Sequence, residues 1–412
     1  MGESNIVVVG GGGFYGRYVV ADLLRRPDVR VTVVSRSAPH PAFSSDRVRW
    51  APGDRDAPER LAELLGDAAA VVHCAGPFQA LDGPGSHPLG PLRAAVSAGV
   101  PYVDICEDRA FLRAASTLAR SATAPVLTGA SVVPGLQALI VHDLAHGMDR
   151  VDTVLCCAAP DTRRHRGPAM FEAMMHGAGL PFTAPRGGVP TVVHGWSEPE
   201  WTLFPPPVGR RLVHQVYEMA DLDVLAELCG AGTITFKAGT EFPSVNRALG
   251  LFAALRARTG RPRATRHWTP LVRAVSWLVG RVGDEAGGFT VTVSGERGGR
   301  PITRRLGMTA RQDGGRIPSL LAGIAVDHLL SGRLHTTGLV PAPLLAGAAR
   351  TTYGAARARN QPVAQGRRGR MAAVAGVTSR HRPRSRSRSR GSTRLRVPLR
   401  GSPDAGAMSP LR

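Results

Sequence analysis

The period of the apolar positions changes along this chain. A β-branched run, Asn5-Ile6-Val7-Val8-Val9, stops at four glycines. Val19, Val20, Leu23 and Leu24 then recur at helical spacing as far as Pro27, and Val31-Thr32-Val33-Val34 makes a second run. This is strand, glycine turn, helix, strand. The alternation continues with Val48-Arg49-Trp50 as a third short strand, residues 58–65 as a helix closed by Gly66, and Ala69 to His73 as a fourth strand. A helix ending at Gly99, a fifth strand from Pro101 to Asp108, a helix near 110–121 and a sixth strand from Pro125 to Thr128 follow. A long amphipathic helix then runs to His146. Strands and helices that alternate through short links make right-handed crossovers, so residues 1–130 read as a Rossmann-type domain on a parallel sheet.

From Val151 the texture shifts to β-rich segments: Val151 to Ala158, Thr191 to His194, Arg211 to Tyr217, Thr233 to Lys237, Phe289 to Ser294 and Thr303 to Thr309. The last two flank Gly295-Glu296-Arg297-Gly298-Gly299-Arg300, a hairpin signature. With helices near 246–258 and 269–281, residues 131–350 read as an α+β domain on an antiparallel sheet, for substrate binding or dimerisation. A helix near 317–331 is expected to return and pack on the first domain. Residues 356–412 carry an Arg/Ser run and too few apolar side chains to offset ordering entropy, so a disordered tail is expected.

Charge changes this picture little. The net charge of +21 suggests nucleic acid at first sight, but residues 361–412 hold thirteen arginines and one aspartate, leaving +9 for the rest. Nucleic acid is therefore not expected as a partner except through the tail. Lys237 is the sole lysine. No run of 18 apolar residues suggests a membrane span, and no membrane partner is expected. Cys74, Cys106, Cys156, Cys157 and Cys229 form no C-x-x-C pair and no metal spacing with histidine. With no basic leader before the first strand, these suit a reducing cytoplasm.

The glycine turn carries the first chemistry. A dinucleotide pyrophosphate sits on the open N–H groups of a helix N-terminus, which demands a bare backbone and close helix–strand packing. Gly11, Gly13 and Gly16 fit G-x-G-x-x-G, and Gly10, Gly13 and Gly16 fit the looser G-x-x-G-x-x-G; both registers, with Phe14 and Tyr15 inside them, stay open. Where NAD sites place an acid for the ribose 2′-hydroxyl, this chain has Ser35-Arg36-Ser37. Guanidinium and hydroxyl suit a 2′-phosphate, so NADP(H) is expected over NAD(H). Asp54, after the third strand, is a candidate for the adenine side or an ordinary turn residue. The turn Cys74-Ala75-Gly76-Pro77-Phe78 ends the fourth strand and is expected on the nicotinamide side.

Four segments together resemble the saccharopine dehydrogenase-like NAD(P)-binding oxidoreductases: the glycine motif, Cys74-Ala75-Gly76-Pro77-Phe78-Gln79, Ala98-Gly99-Val100-Pro101-Tyr102-Val103-Asp104, and Gly129-Ala130-Ser131-Val132-Val133-Pro134-Gly135. The likeness spans about residues 5–145 and is faint at 338–341. It implies a Rossmann domain, an α+β domain over the cofactor, and hydride transfer with a nicotinamide, often at a C–N bond; the function expected for this chain is an NADP(H)-dependent oxidoreductase acting on a small metabolite at a C=N, C=O or C=C bond.

The protein must then position that substrate and move a proton. Asp104 and Glu107 at a strand end are candidates for acid/base work, with Asp108 expected to cap the next helix. Lys237 is a third candidate, as proton donor or carboxylate partner, against the plain reading of a solvated side chain. The cluster Arg163 to Arg166 suits an acidic substrate or a solvated loop. The Tyr-x-x-x-Lys pair of short-chain dehydrogenases is excluded, because Thr233 stands four residues before the only lysine. The competing function is a non-catalytic NADP(H)-binding sensor or partner subunit; a homodimer is the expected assembly.

Overall fold

The structure, a computed structural model, describes residues 3–36, 43–80, 88–163, 168–259, 274, 277–340 and 371–374. The first half alternates as β1 (Ser4–Val9), α1 (Phe14–Leu23), β2 (Val29–Ser35), β3 (Val48–Pro52), α2 (Pro58–Leu65), β4 (Ala68–His73), α3 (Gly90–Ala98), β5 (Tyr102–Asp104), α4 (Arg109–Leu118), β6 (Pro125–Leu127) and α5 (Gln137–Ala145). All six strands pair in parallel in the order β6-β5-β4-β1-β2-β3. Helices cover a parallel sheet on both faces, which is why Ile6 to Val9 and Val31 to Val34 are apolar at nearly every position and fully buried. α1 buries Gly16, Val19, Val20 and Leu23 against them. Asp108 caps α4, its side chain accepting the Phe111 N–H at 2.7 Å.

The second sheet contains β7 (Arg150–Ala159), β10 (Ser197–Leu203), β11 (Arg210–Gln215), β12 (Thr233–Ala238), β13 (Gly287–Arg297) and β14 (Arg300–Ala310). A separate two-stranded ribbon pairs β8 (Pro181–Arg186) with β9 (Val189–His194). β13 and β14 turn over through Gly298 and Gly299, both at positive φ as a two-residue hairpin requires. The expected antiparallel sheet is in fact mixed, because β7 and β12 pair in parallel. Three helices complete this half: α6 (Pro168–Gly177), α7 (Asp221–Cys229) and α8 (Pro243–Thr259). Neither α6, α7, β8 nor β10 stands out in the hydrophobic pattern; β10, Ser-Glu-Pro-Glu-Trp-Thr-Leu, is an edge strand with mostly exposed side chains.

The chain then returns. α9 (Leu320–Leu330) contributes Leu321, Ala322, Ala325 and Val326 to the same core as β1 and α1, and β15 (Gly338–Leu339) adds a seventh parallel strand beside β6. β16 (Met371–Val374) pairs antiparallel with β14. The rest of the expected disordered tail, Arg164 to Arg166, Ser37, and residues 269–273 of the expected helix lie outside the described residues; 277–282 are helical. Among the described residues, no helix is long and apolar enough to cross a membrane, and no group of three or more His, Cys, Asp or Glu is placed to hold a metal ion.

Candidate functional site

The carboxyl ends of β1, β2, β4 and β5 meet along one edge of the first sheet, and the glycine turn is its centre. Gly10 has φ of +79°, and a Cβ there would lie 2.7 Å from the Ala75 backbone, in the turn after β4. A Cβ on Gly16 would lie 2.2 Å from the Gly10 carbonyl oxygen, so only glycine lets α1 sit this close to the turn. Gly13 is the N-cap of α1, with extended backbone, no side-chain cap and no acid in the first turn. Both registers share Gly13 and Gly16; Gly10 is required by its positive φ and the Ala75 backbone, and Gly11 by close packing against Val8, Val20 and Val33. A bare, uncapped helix N-terminus behind a backbone-only turn fits a pyrophosphate. Phe14 packs on Gly315, and its ring meets Tyr15 edge-on at 5.1 Å.

Beside this cradle, Ser35 Oγ lies 2.8 Å from where a Gly12 Cβ would be. Arg36 is 80% exposed, with Nη1 3.6 Å from Asp54 Oδ2. Three sequence candidates from two strand ends are thus brought together, and an exposed pair of this kind contributes little to stability. It leaves the guanidinium ready to exchange a carboxylate for a phosphate.

The turn after β4 contains a cis Gly76–Pro77 bond and is held by a residue the sequence pattern did not mark. Arg55 Nη1 donates to the carbonyls of Ala75 at 2.5 Å and Pro77 at 2.7 Å. Nothing in the local pattern around Arg55 signals this, since the acceptors are backbone atoms twenty residues on. Phe78 is buried, its ring 5.1 Å from Phe111 and 4.9 Å from His73, so its side chain belongs to the core. Cys74 is buried at the edge of the same core, and burial pushes its thiol pKa up, away from nucleophilic use. His73 bonds Tyr102 Oη at 2.9 Å, and burial holds its pKa down at about 3, so it is neutral.

Asp104 and Glu107 separate into two roles. Asp104 is fully buried; its Oδ1 accepts the N–H groups of Cys106 at 3.0 Å and Gly129 at 2.8 Å, tying β5 to the turn after β6. Burial raises its pKa to about 7, opposed by those two N–H groups. Glu107 is partly buried, and its Oε1 accepts from Gln79 Nε2 and Tyr217 Oη, each at 3.4 Å. Burial, then the neighbouring Asp108, raises its pKa to about 7. Tyr217 comes from the segment after β11, so Glu107 is where the second sheet's half meets the first. Its carbonyl also accepts the Ala220 N–H at 2.9 Å. Burial raises the Tyr217 phenol strongly, and Glu107, Asp108 and Tyr15 raise it further.

Gln79 and Tyr217 were not marked by sequence reasoning. Gln79 only ends a motif, and Tyr217 only ends a strand. Gln79 Oε1 is buried and has no hydrogen-bond partner among the described residues. A clasp fixes the arrangement from behind: Arg109 donates to Asp223 at 2.9 and 2.5 Å and to Glu218 at 2.6 Å, joining the start of α4 to the segment that carries Tyr217.

Lys237 stands apart from this group. Its Nζ donates to Glu200 Oε2 at 2.7 Å and the Glu198 carbonyl at 3.1 Å, both on β10, and no described contact joins it to Glu107. Both partners belong to its own sheet.

Residues 6–128 match the family model described as Saccharopine dehydrogenase NADP binding domain. No curated protein sequence matches the chain. Among solved structures, apo histidine-tagged saccharopine dehydrogenase (L-Glu forming) from Saccharomyces cerevisiae is similar, with TM-score 0.59 and 13% identity over 85% of this chain and 98% of that one. This likeness shows a shared fold. Two others align with lower scores: C. glutamicum DAP dehydrogenase in complex with DAP, TM-score 0.44, 13% identity, 88% of this chain and 100% of that one, and an engineered D-amino acid dehydrogenase bound to NADP+, TM-score 0.40, 14% identity, 83% and 93%.

Proposed function

Because residues 6–128 match the saccharopine dehydrogenase NADP-binding domain model, we propose that this chain is an NADP(H)-dependent oxidoreductase that moves hydride between NADP(H) and a small metabolite, at a C=N, C=O or C=C bond, with Glu107 as the acid/base. The bound nicotinamide supplies the hydride chemistry. The chain's own residues do the rest. Gly10, Gly13 and Gly16 hold the pyrophosphate, and Ser35 and Arg36 the 2′-phosphate. The turn from Cys74 to Pro77, fixed by Arg55, lines the nicotinamide side.

The observation that carries the reading is Glu107. It sits at a strand end between Gln79 and Tyr217, in surroundings that hold its pKa at about 7, where a carboxyl both gives and takes a proton near neutrality. Long hydrogen bonds to its Oε1 are of the kind that tighten when substrate arrives. Asp104 positions the strand end from below, and Lys237 plays no direct part. Residues 1–130 serve the nucleotide; residues 131–350 close over the substrate and provide the surface for a homodimer. The free cysteines suit a reducing cytoplasm.

The test is calorimetric titration of the protein with NADPH and NADH, then a screen of amines, keto acids and unsaturated acyl compounds for NADPH-dependent change. NADPH binding at micromolar strength with weaker NADH binding, and turnover of one class that Glu107→Gln abolishes, support the proposal. NADPH binding without turnover of any class favours the sensor alternative.

A further inference from the structure

Positive charge outside the C-terminal tail is concentrated in one stretch of the sequence. Residues 242–283 contain eight arginines and no aspartate or glutamate, which accounts for nearly all of the +9 carried by residues 1–360. The excursion leaves and returns at one point. Glu241 Oε1 accepts the Asp284 N–H at 2.8 Å, and the Asp284 carbonyl accepts the Thr162 and Arg163 N–H groups.

α8 docks one face of this excursion firmly. Asn246 Nδ2 donates to the carbonyls of Leu212 and Thr240, and Arg256 Nη1 donates to Met175, His176 and Ala178 at the end of α6. The opposite face is a stripe of helical period in which Leu251 (63% exposed) and Leu255 (53% exposed) lie between exposed Arg247 and Arg258. The helical residues 277–282 repeat the composition: Trp277, Leu278 and Val282 are exposed, and the Arg281 guanidinium stacks 3.7 Å over the Trp277 ring. A basic segment without acids of its own, set with exposed leucine and tryptophan, has the chemistry of an interfacial lipid contact. Arginine meets phosphate headgroups, and Leu and Trp enter the headgroup–acyl boundary.

We propose that α8 and residues 277–282 form a docking surface for an anionic phospholipid bilayer, holding this oxidoreductase at a membrane surface without spanning it. The contact requires no crossing helix and departs only from the expectation that no membrane partner exists. A nucleic acid would use the arginines but offer nothing to Leu251, Leu255 and Leu278.

The experiment is co-sedimentation of the full chain with phosphatidylcholine vesicles and with vesicles containing phosphatidylglycerol, across a salt series. The basic tail also attracts anionic vesicles, so the deciding comparison keeps the tail and changes only exposed apolar side chains: Leu251→Ser/Leu255→Ser and Leu278→Ser/Val282→Ser. Expected are binding to the anionic vesicles only, and about a tenfold loss in each double variant with NADPH titration unchanged. Equal vesicle binding by wild type and variants means the tail acts alone and overturns the proposal. So does a wild-type dimer by light scattering that the variants dissolve, since a second copy then covers the face.

Discussion

Glu107, Gly16 and Arg36 each tie one local geometry to one measurable consequence. Glu107→Gln keeps the shape and hydrogen-bonding reach of the side chain but cannot exchange a proton, so turnover should fall by about two to four orders of magnitude while NADPH titration stays the same. The sign of the pH dependence follows from a pKa of about 7. In the reductive direction the protonated form is needed, so the rate should decline as pH rises through about 7. In the oxidative direction it should decline as pH falls through the same value. At Gly16 a methyl group meets the Gly10 carbonyl at 2.2 Å, a backbone atom that cannot step aside. Gly16→Ala should cost roughly 1–3 kcal/mol in denaturant unfolding and weaken NADPH binding more than the stability loss explains. Arg36→Ala should weaken NADPH and leave NADH nearly unchanged, read by paired calorimetric titrations, because only the 2′-phosphate distinguishes the two.

Among the elements, the end of β5 is held by hydrogen bonds that no pattern of apolar positions announces. Asp104→Ala strands two buried N–H groups, those of Cys106 and Gly129, at roughly 1–3 kcal/mol each. Asp104→Asn retains an accepting oxygen and should lose much less. Comparing the two by chemical unfolding separates a bracing role from a catalytic one, since a catalytic Asp104 would be silenced by either change. The hydrogen bonds of Asp104 show why strand-end carboxylates are hard to tell apart in sequence. Three lie within five residues, yet one faces the core, one caps α4 and one faces the second sheet. Which is which depends on where the chain turns after Asp104, and that turn is set by Gly129, twenty-five residues away. Lys237 is read by its rarity in the sequence, while its partner Glu200 on β10, one strand beyond the adjacent β11, is seen only in the folded sheet.

For the whole molecule, three carboxyls, Asp104, Glu107 and Asp221, have pKa values raised to about 7 by burial. Each folded-state value lies above the unfolded one, so the stability each contributes is fully present below about pH 4 and is lost as pH rises through about 7. The melting temperature should therefore decline from pH 5 to pH 8, and Asp221→Asn, neutral and of the same size, should flatten that slope. Asp223, whose pKa is lowered on balance by Arg109 and Arg113 although burial opposes them, works in the other direction and gives way only in stronger acid. A thermal scan across this range that rises with pH in wild type would contradict the burial of these groups.

The amino-acid sequence by itself determined the parallel sheet, its first helix and the glycine cradle, along with Ser35-Arg36 beside it. The reason is that these are local: a β-branched run, bare glycines and a helix, all between Ser4 and Leu23, suffice to build the turn. It also marked Asp108 as the cap of α4 and Asp104 and Glu107 as acid/base candidates, but could not separate the last two. Only tertiary structure placed Asp104 in the core and Glu107 toward the second sheet, and brought Gln79 and Tyr217 to Glu107 and Arg55 to the turn after β4. Those residues act across 20 to 110 positions of chain, through backbone carbonyls and buried carboxyls. Hydrophobic periodicity records which side of an element is dry. It says nothing of which polar group a distant element will bring to meet it.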